Sequence, residues 1–184
     1  PMKILFFAPP AFKIQTENKG SGNWVSSLLF ALKKYSSDAQ TITVAVSDPN
    51  TDKIELDALD GVMYAKMPSP SKQSYYQSVI QMVEPDIIQL FGLEHSYSSI
   101  LGSTKIPVVI HLQGMIGPYS IKDKSNQRFS KSIKIGSLRE VLKQRITEKK
   151  RMQRLAIEES SYQHAKYFFG RTDWDRYFAK SVAP

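Results

Sequence analysis

The chain has 184 residues, 41% of them apolar, and 25 Lys and Arg against 17 Asp and Glu give a net charge of +8; this makes one globular domain and excludes a disordered chain. No apolar run approaches the ~20 residues that cross a bilayer, and Pro1-Met2-Lys3 lacks a signal peptide's basic region and cleavage site, the Pro ahead of Met2 reading as a cloning remnant. Without cysteine there is no disulfide framework, thiolate metal site or thiol nucleophile, which fits a cytoplasmic protein.

In chain order, Lys3 to Ala8 is a continuous apolar run closed by Pro9-Pro10, as expected of a strand buried on both faces of a parallel sheet. Asn23 to Tyr35 carries apolar residues at 24, 25, 28, 29 and 32, which is helical spacing. Thr41 to Val46 and Val62 to Met67 read as strands. Ser71 to Val83 reads as a helix with Ser71 as cap and Glu84-Pro85 as stop. Asp86 to Phe91 is a strand, His95 to Leu101 a short helix, and Ile106 to Leu112 a strand. Gly114 to Gly136 lacks periodicity and reads as a mobile loop, whereas Ser137 to His164 fits one long helix. Tyr167-Phe168-Phe169 is a short strand, Gly170 a turn, and Thr172 or Asp173 caps a last helix with acids in its first turn. Strand alternating with helix predicts an α/β, Rossmann-like, doubly wound and mostly parallel sheet in three αβα layers. Ligands bind such sheets beyond the carboxyl ends of the strands, so those ends are the candidate site.

The charge is concentrated. From Lys122 to Arg154 twelve Lys and Arg face Asp123, Glu140 and Glu148, a net of +9 that exceeds the charge of the whole chain. Segment 122–154 is open to three readings: a solvated helix face with a loop, a dock for an anionic membrane surface, or a nucleic-acid arm. The last is disfavoured, because Phe129 is its lone aromatic for base stacking.

Three strand exits carry polar residues able to meet a ligand. The first loop ends Gly20-Ser21-Gly22-Asn23 at a helix start, where free N–H groups favour phosphate. These glycines come about ten residues later than a dinucleotide fingerprint requires, so a classical nicotinamide site is rejected; a flexible loop with a helix cap is the plainer alternative. Glu94 and His95 follow the strand ending at Phe91; they suit sugar hydroxyls, or Glu94 simply occupies the first turn of the next helix. His111 within an apolar run reads as a satisfied core histidine. Gln113 at that strand's tip is better placed to reach the cleft, with Gly114 keeping it open. No His pair or carboxylate cluster has metal-ligand spacing, no serine sits in a nucleophile elbow, and no catalytic constellation is complete.

Four stretches together resemble the N-terminal half of retaining GT-B glycosyltransferases: Lys3 to Pro9 with the delayed Gly20-Ser21-Gly22-Asn23-Trp24-Val25, Pro85 to Glu94, Pro107 to Gly114, and Gly170-Arg171-Thr172-Asp173-Trp174-Asp175-Arg176. The resemblance implies that 1–184 is the acceptor-side Rossmann-like domain of an enzyme whose C-terminal, donor-binding domain is absent. It implies hexosyl transfer from a nucleotide sugar (UDP- or GDP-hexose), with retention and without a catalytic metal, to a polysaccharide or glycolipid acceptor. Gly20, Gly22 and Asn23 would line the phosphate side, Gln113 and Gly114 the sugar side, Glu94 and His95 the acceptor, and Arg171, Thr172 and Asp175 the interdomain hinge. Segment 122–154 would hold a cytoplasmic enzyme on the inner face of the membrane. Many relatives carry His where Gln113 stands, and Phe91 and Leu93 replace the usual Trp and Thr. A half enzyme of this kind is expected to be inactive alone. The rival class is a non-enzymatic α/β binding module with a basic arm for nucleic acid or anionic surfaces; a receiver-type module would need acids after its first strand, where Pro9-Pro10-Ala11-Phe12 supplies none.

Overall fold

The computed structural model describes residues 1–10, 12, 14, 24–35, 40–118 and 138–183. Among them, β1 (Met2–Phe7), β2 (Gln40–Asp48), β3 (Glu55–Leu59), β4 (Val62–Pro68), β5 (Ile87–Phe91), β6 (Val108–His111) and β7 (Tyr167–Phe169) build one sheet. Its strand order is β3-β4-β2-β1-β5-β6-β7. Every neighbouring pair is parallel except β3 with β4. The helices are α1 (Trp24–Tyr35), α2 (Gln73–Val83), α3 (Leu138–Tyr162) and α4 (Asp173–Val182), with a 3₁₀ turn at Ser96–Ile100.

Strand geometry explains why the first apolar run has no polar gaps. Successive side chains point to opposite faces, and in β1 both directions lead into a core. Leu5 and Phe7 join Ala45, Ala65, Ile88, Leu90 and Ile110 on one face, under Tyr76 and Val79 of α2, Tyr162 of α3 and Ala179 of α4. Phe6 joins Val44, Val46, Tyr64 and Phe91 on the other, under Val25 and Leu29 of α1. Helices thus cover both faces, as the three-layer expectation requires.

Two local expectations are corrected. Strand β3 was not anticipated. It pairs antiparallel with β4 across a turn in which Asp60 (φ 51°) and Gly61 (φ 74°) both lie in the left-handed region. Two such residues match the twist of a tight hairpin, so the Asp-Gly pair was the available signal. The burial pattern hid it, because four of the five β3 residues are exposed and no alternation survives. Ser71 does not cap α2. Lys72 occupies that position without a side-chain bond, while the Ser71 hydroxyl lies 2.9 Å from that of Ser47 at the end of β2. The stop holds as expected: Glu84 takes a left-handed conformation (φ 47°) and its N–H closes onto the Ile80 carbonyl ahead of Pro85.

Helix α3 divides in two. Every residue from Leu142 to Lys150 is exposed, whereas Glu158, Ser161 and Tyr162 are buried. Among the described side chains of α3, the fully buried ones lie in its last turns.

Candidate functional site at the carboxyl rim of the sheet

The parallel strands β1, β5, β6 and β7 end at one rim. Gly20, Gly22 and Asn23, on the loop after β1, lie outside the described residues, as do 119–137 of the loop and basic segment. The other three exits converge.

At the exit of β5, Gly92 adopts φ 85° and its N–H donates to the His111 carbonyl at 3.0 Å. The Glu94 side chain folds over it so closely that a Cβ on residue 92 would stand 2.3 Å from the carboxylate. Any larger residue would displace Glu94. The carboxylate lies 3.3 Å from His95 Nε2, and both side chains are mostly buried. The His95 ring packs 5.2 Å from that of Tyr97. Burial pushes the imidazole below its ordinary pKa; Glu94 opposes this and Arg154 of α3 adds to it. No side chain caps the 3₁₀ turn. Glu94 is turned to His95 instead.

At the exit of β6, His111 sits between Phe91 and Phe169, with ring centroids 5.8 and 6.3 Å away. Its Nδ1 lies 3.4 Å from the Gln89 amide nitrogen. Burial, reinforced by Arg171 and opposed by Asp175, lowers its pKa. This is the packed histidine that the apolar run implied. Gln113 behaves differently. Its side-chain nitrogen is shielded from water and has no hydrogen-bond partner among the described residues. A shielded, unpaired donor costs about 1–3 kcal/mol, so the position holds an unmet demand for an acceptor.

At the exit of β7, a Cβ on Gly170 would fall 2.8 Å from that of Asp175, so the closing motif needs glycine for its turn to meet α4. Thr172 caps α4: its hydroxyl accepts from the Asp175 N–H at 3.3 Å, and the Asp175 carboxylate accepts from the N–H groups of Arg171 and Thr172 at 2.8 and 3.2 Å. The Arg171 guanidinium donates to the Gln113 carbonyl. The residues expected at a hinge thus form a reciprocal cap tied to Gln113, just past the end of the neighbouring strand β6. Beside them lies a groove of about 920 Å³ lined by Lys166, Phe169, Arg171, Arg176 and Lys180.

Sequence reasoning missed Glu158 of α3. It is 3% exposed, and its carboxylate accepts from the Ile116 N–H at 2.8 Å and the Tyr162 hydroxyl at 2.9 Å. Burial raises its pKa despite these bonds. The signal was its helical position, four residues before the core residue Tyr162. Among the described residues no group of three or more His, Asp or Glu is arranged to hold a metal, and no helix is long and apolar enough to cross a membrane.

No family model matches the chain, and no curated protein matches it by sequence. Among solved structures it is similar to sucrose-phosphate synthase from Thermosynechococcus elongatus, with a TM-score of 0.57 and 10% identity. The match covers 100% of this chain and 46% of that one, so the chain spans less than half the length of this neighbour. At that identity the likeness is one of fold. The chain therefore has a Rossmann-like α/β architecture built on a mostly parallel sheet, the fold class expected from the sequence.

Proposed function

We propose that this chain is the acceptor-side domain of a GT-B glycosyltransferase, which moves a hexosyl group from a UDP- or GDP-sugar to a polysaccharide or glycolipid with retention and without a catalytic metal. The observation that carries this reading is the convergence of Glu94–His95, Gln113–Gly114 and Arg171 at one rim, where the shielded Gln113 amide nitrogen has no partner among the described residues. In this reading the Gln113 side chain turns out of its shielded position when substrate binds, and a sugar hydroxyl or donor oxygen becomes its acceptor. Glu94 and His95 offer a carboxylate and an imidazole for acceptor hydroxyls, and Gly20, Gly22 and Asn23 complete the phosphate side in this reading. A neutral amide cannot act as a base, so Gln113 binds and orients. Arg171, Thr172 and Asp175 would form the stiff approach to a second, donor-binding domain. Turnover of a nucleotide sugar by protein carrying both halves tests the reading.

Membrane attachment through segment 122–154 belongs to the same proposal. The exposed part of α3 presents Leu142 (51% exposed) and Ile146 (58%) among Lys143, Arg145, Lys149 and Lys150. Apolar side chains among cations suit the interface of an anionic bilayer, where each Lys or Arg contributes ~1 kcal/mol. Binding to vesicles containing anionic lipid is expected to fall steeply as salt rises from 0.05 to about 0.5 M, because screening shortens the reach of those charges. Equal binding to neutral and anionic vesicles would remove the membrane from the account.

A further inference from the structure

The segment carrying Gln113 and Gly114 is held at both ends. On one side Leu112 is 1% exposed and its N–H donates to the Phe169 carbonyl at 2.9 Å, which continues the sheet past β6. On the other side Met115 is 1% exposed, and the chain, expected to be a loop here, enters a helical turn at 116–118 that is fastened to α3, more than forty residues later. That fastening is Glu158: its carboxylate accepts from the Ile116 N–H at 2.8 Å, from the Gly117 backbone, and from the Tyr162 hydroxyl at 2.9 Å. Gly117 also packs on Leu155, one turn earlier on the same helix; a Cβ there would stand 3.7 Å from the Leu155 side chain.

A carboxylate shielded from water, with no cation in contact among the described residues, is a costly way to hold a turn. It persists only where several donors meet it, and bonds to an ionised acceptor are roughly twice as strong as neutral ones. We propose that Glu158 is a positioning residue for the sugar side of the rim: it fixes the turn at 115–117 and so sets where Gln113 and Gly114 stand. The assignment rests on the reading of Gln113 and Gly114 given above; the hold on the turn does not.

The experiment compares Glu158→Ala, Glu158→Gln and Tyr162→Phe in the protein carrying both halves, by residue-resolved amide exchange and by kcat and KM. Glu158→Ala is expected to speed exchange at Ile116 and Gly117 at least about tenfold, with Ile88 and Ile110 unchanged. It should lower kcat by about 100-fold, the scale of a 1 Å misplacement, with the nucleotide-sugar KM held within about threefold. Glu158→Gln keeps an acceptor oxygen and should retain most of both. Tyr162→Phe removes one bond but leaves the turn's anchor, so exchange at Ile116 should stay within about twofold. Unchanged exchange in Glu158→Ala, equal acceleration at every amide, or a loosened turn with an unaltered kcat would each overturn the proposal. If the wild type transfers no sugar, the functional reading fails, and exchange at Ile116 and Gly117 still decides whether Glu158 holds the turn.

Discussion

Phe7→Ala is expected to destabilise the domain by about 3–5 kcal/mol, the usual cost of truncating a buried aromatic. Phe7 ends β1, the central strand of the sheet, and is 0% exposed. Its ring packs edge-on against Tyr76 at 5.6 Å and beside Tyr97 at 6.0 Å, joining α2 and the 3₁₀ turn to the sheet. A small backbone movement cannot refill a hole between three elements, so the cavity cost adds to the lost transfer energy. Domains of this kind hold about 5–15 kcal/mol in total; the variant should be largely unfolded, or unfold at a much lower urea midpoint. Phe169 on the edge strand β7 is 56% exposed, and Phe169→Ala should cost below about 1 kcal/mol, because that ring is already half in water. A Phe7→Ala loss as small as that of Phe169→Ala would mean that β1 is not the centre of the core.

The second large effect concerns activity. Orienting two reactants against each other is worth about 7–11 kcal/mol, or roughly 10⁵- to 10⁸-fold in rate. In the proposed reading that orientation needs two walls, and this chain supplies one. Protein carrying a second α/β half should transfer the hexosyl group of a UDP- or GDP-hexose to an acceptor hydroxyl or water, releasing the nucleoside diphosphate at an easily measured rate, and residues 1–184 alone should show none above background. Comparable turnover by both would mean that a complete site lies within this chain and that the two-half account is wrong.

Most of the fold could be read from the residues because its central strands are buried on both sides. Ile4 to Ala8 shows it as an unbroken apolar run and Ile87 to Phe91 as one interrupted only by Gln89, and Glu84-Pro85 marks the end of α2 by conformation alone. What escaped was at the edge. Glu55 and Asp57 of β3 face solvent, and Asp57 pairs with Lys66 across the hairpin at 2.8 Å, so the segment looked like a polar connection. The site divides along the same line. Glu94–His95 and Gln113–Gly114 could be named as candidates because each pair lies within four residues of the end of its strand, Phe91 or His111. Glu158 was not, because 42 residues separate it from Ile116, and an acid on a strongly basic helix reads as an exposed ion-pair partner. Arg171 was recognised in its motif but placed at a hinge; only the pairing of β6 with β7 shows that its guanidinium reaches Gln113, 58 residues away.

In the proposed reading the working edge of this domain is the carboxyl rim of its sheet. Amide exchange on protein carrying both halves, with and without a saturating UDP- or GDP-hexose, measures it directly. Slowed exchange at 92–95, 113–117 and 170–172 is the predicted result. Protection confined to the opposite rim, around the Asp60–Gly61 turn and Asp86, would contradict the account.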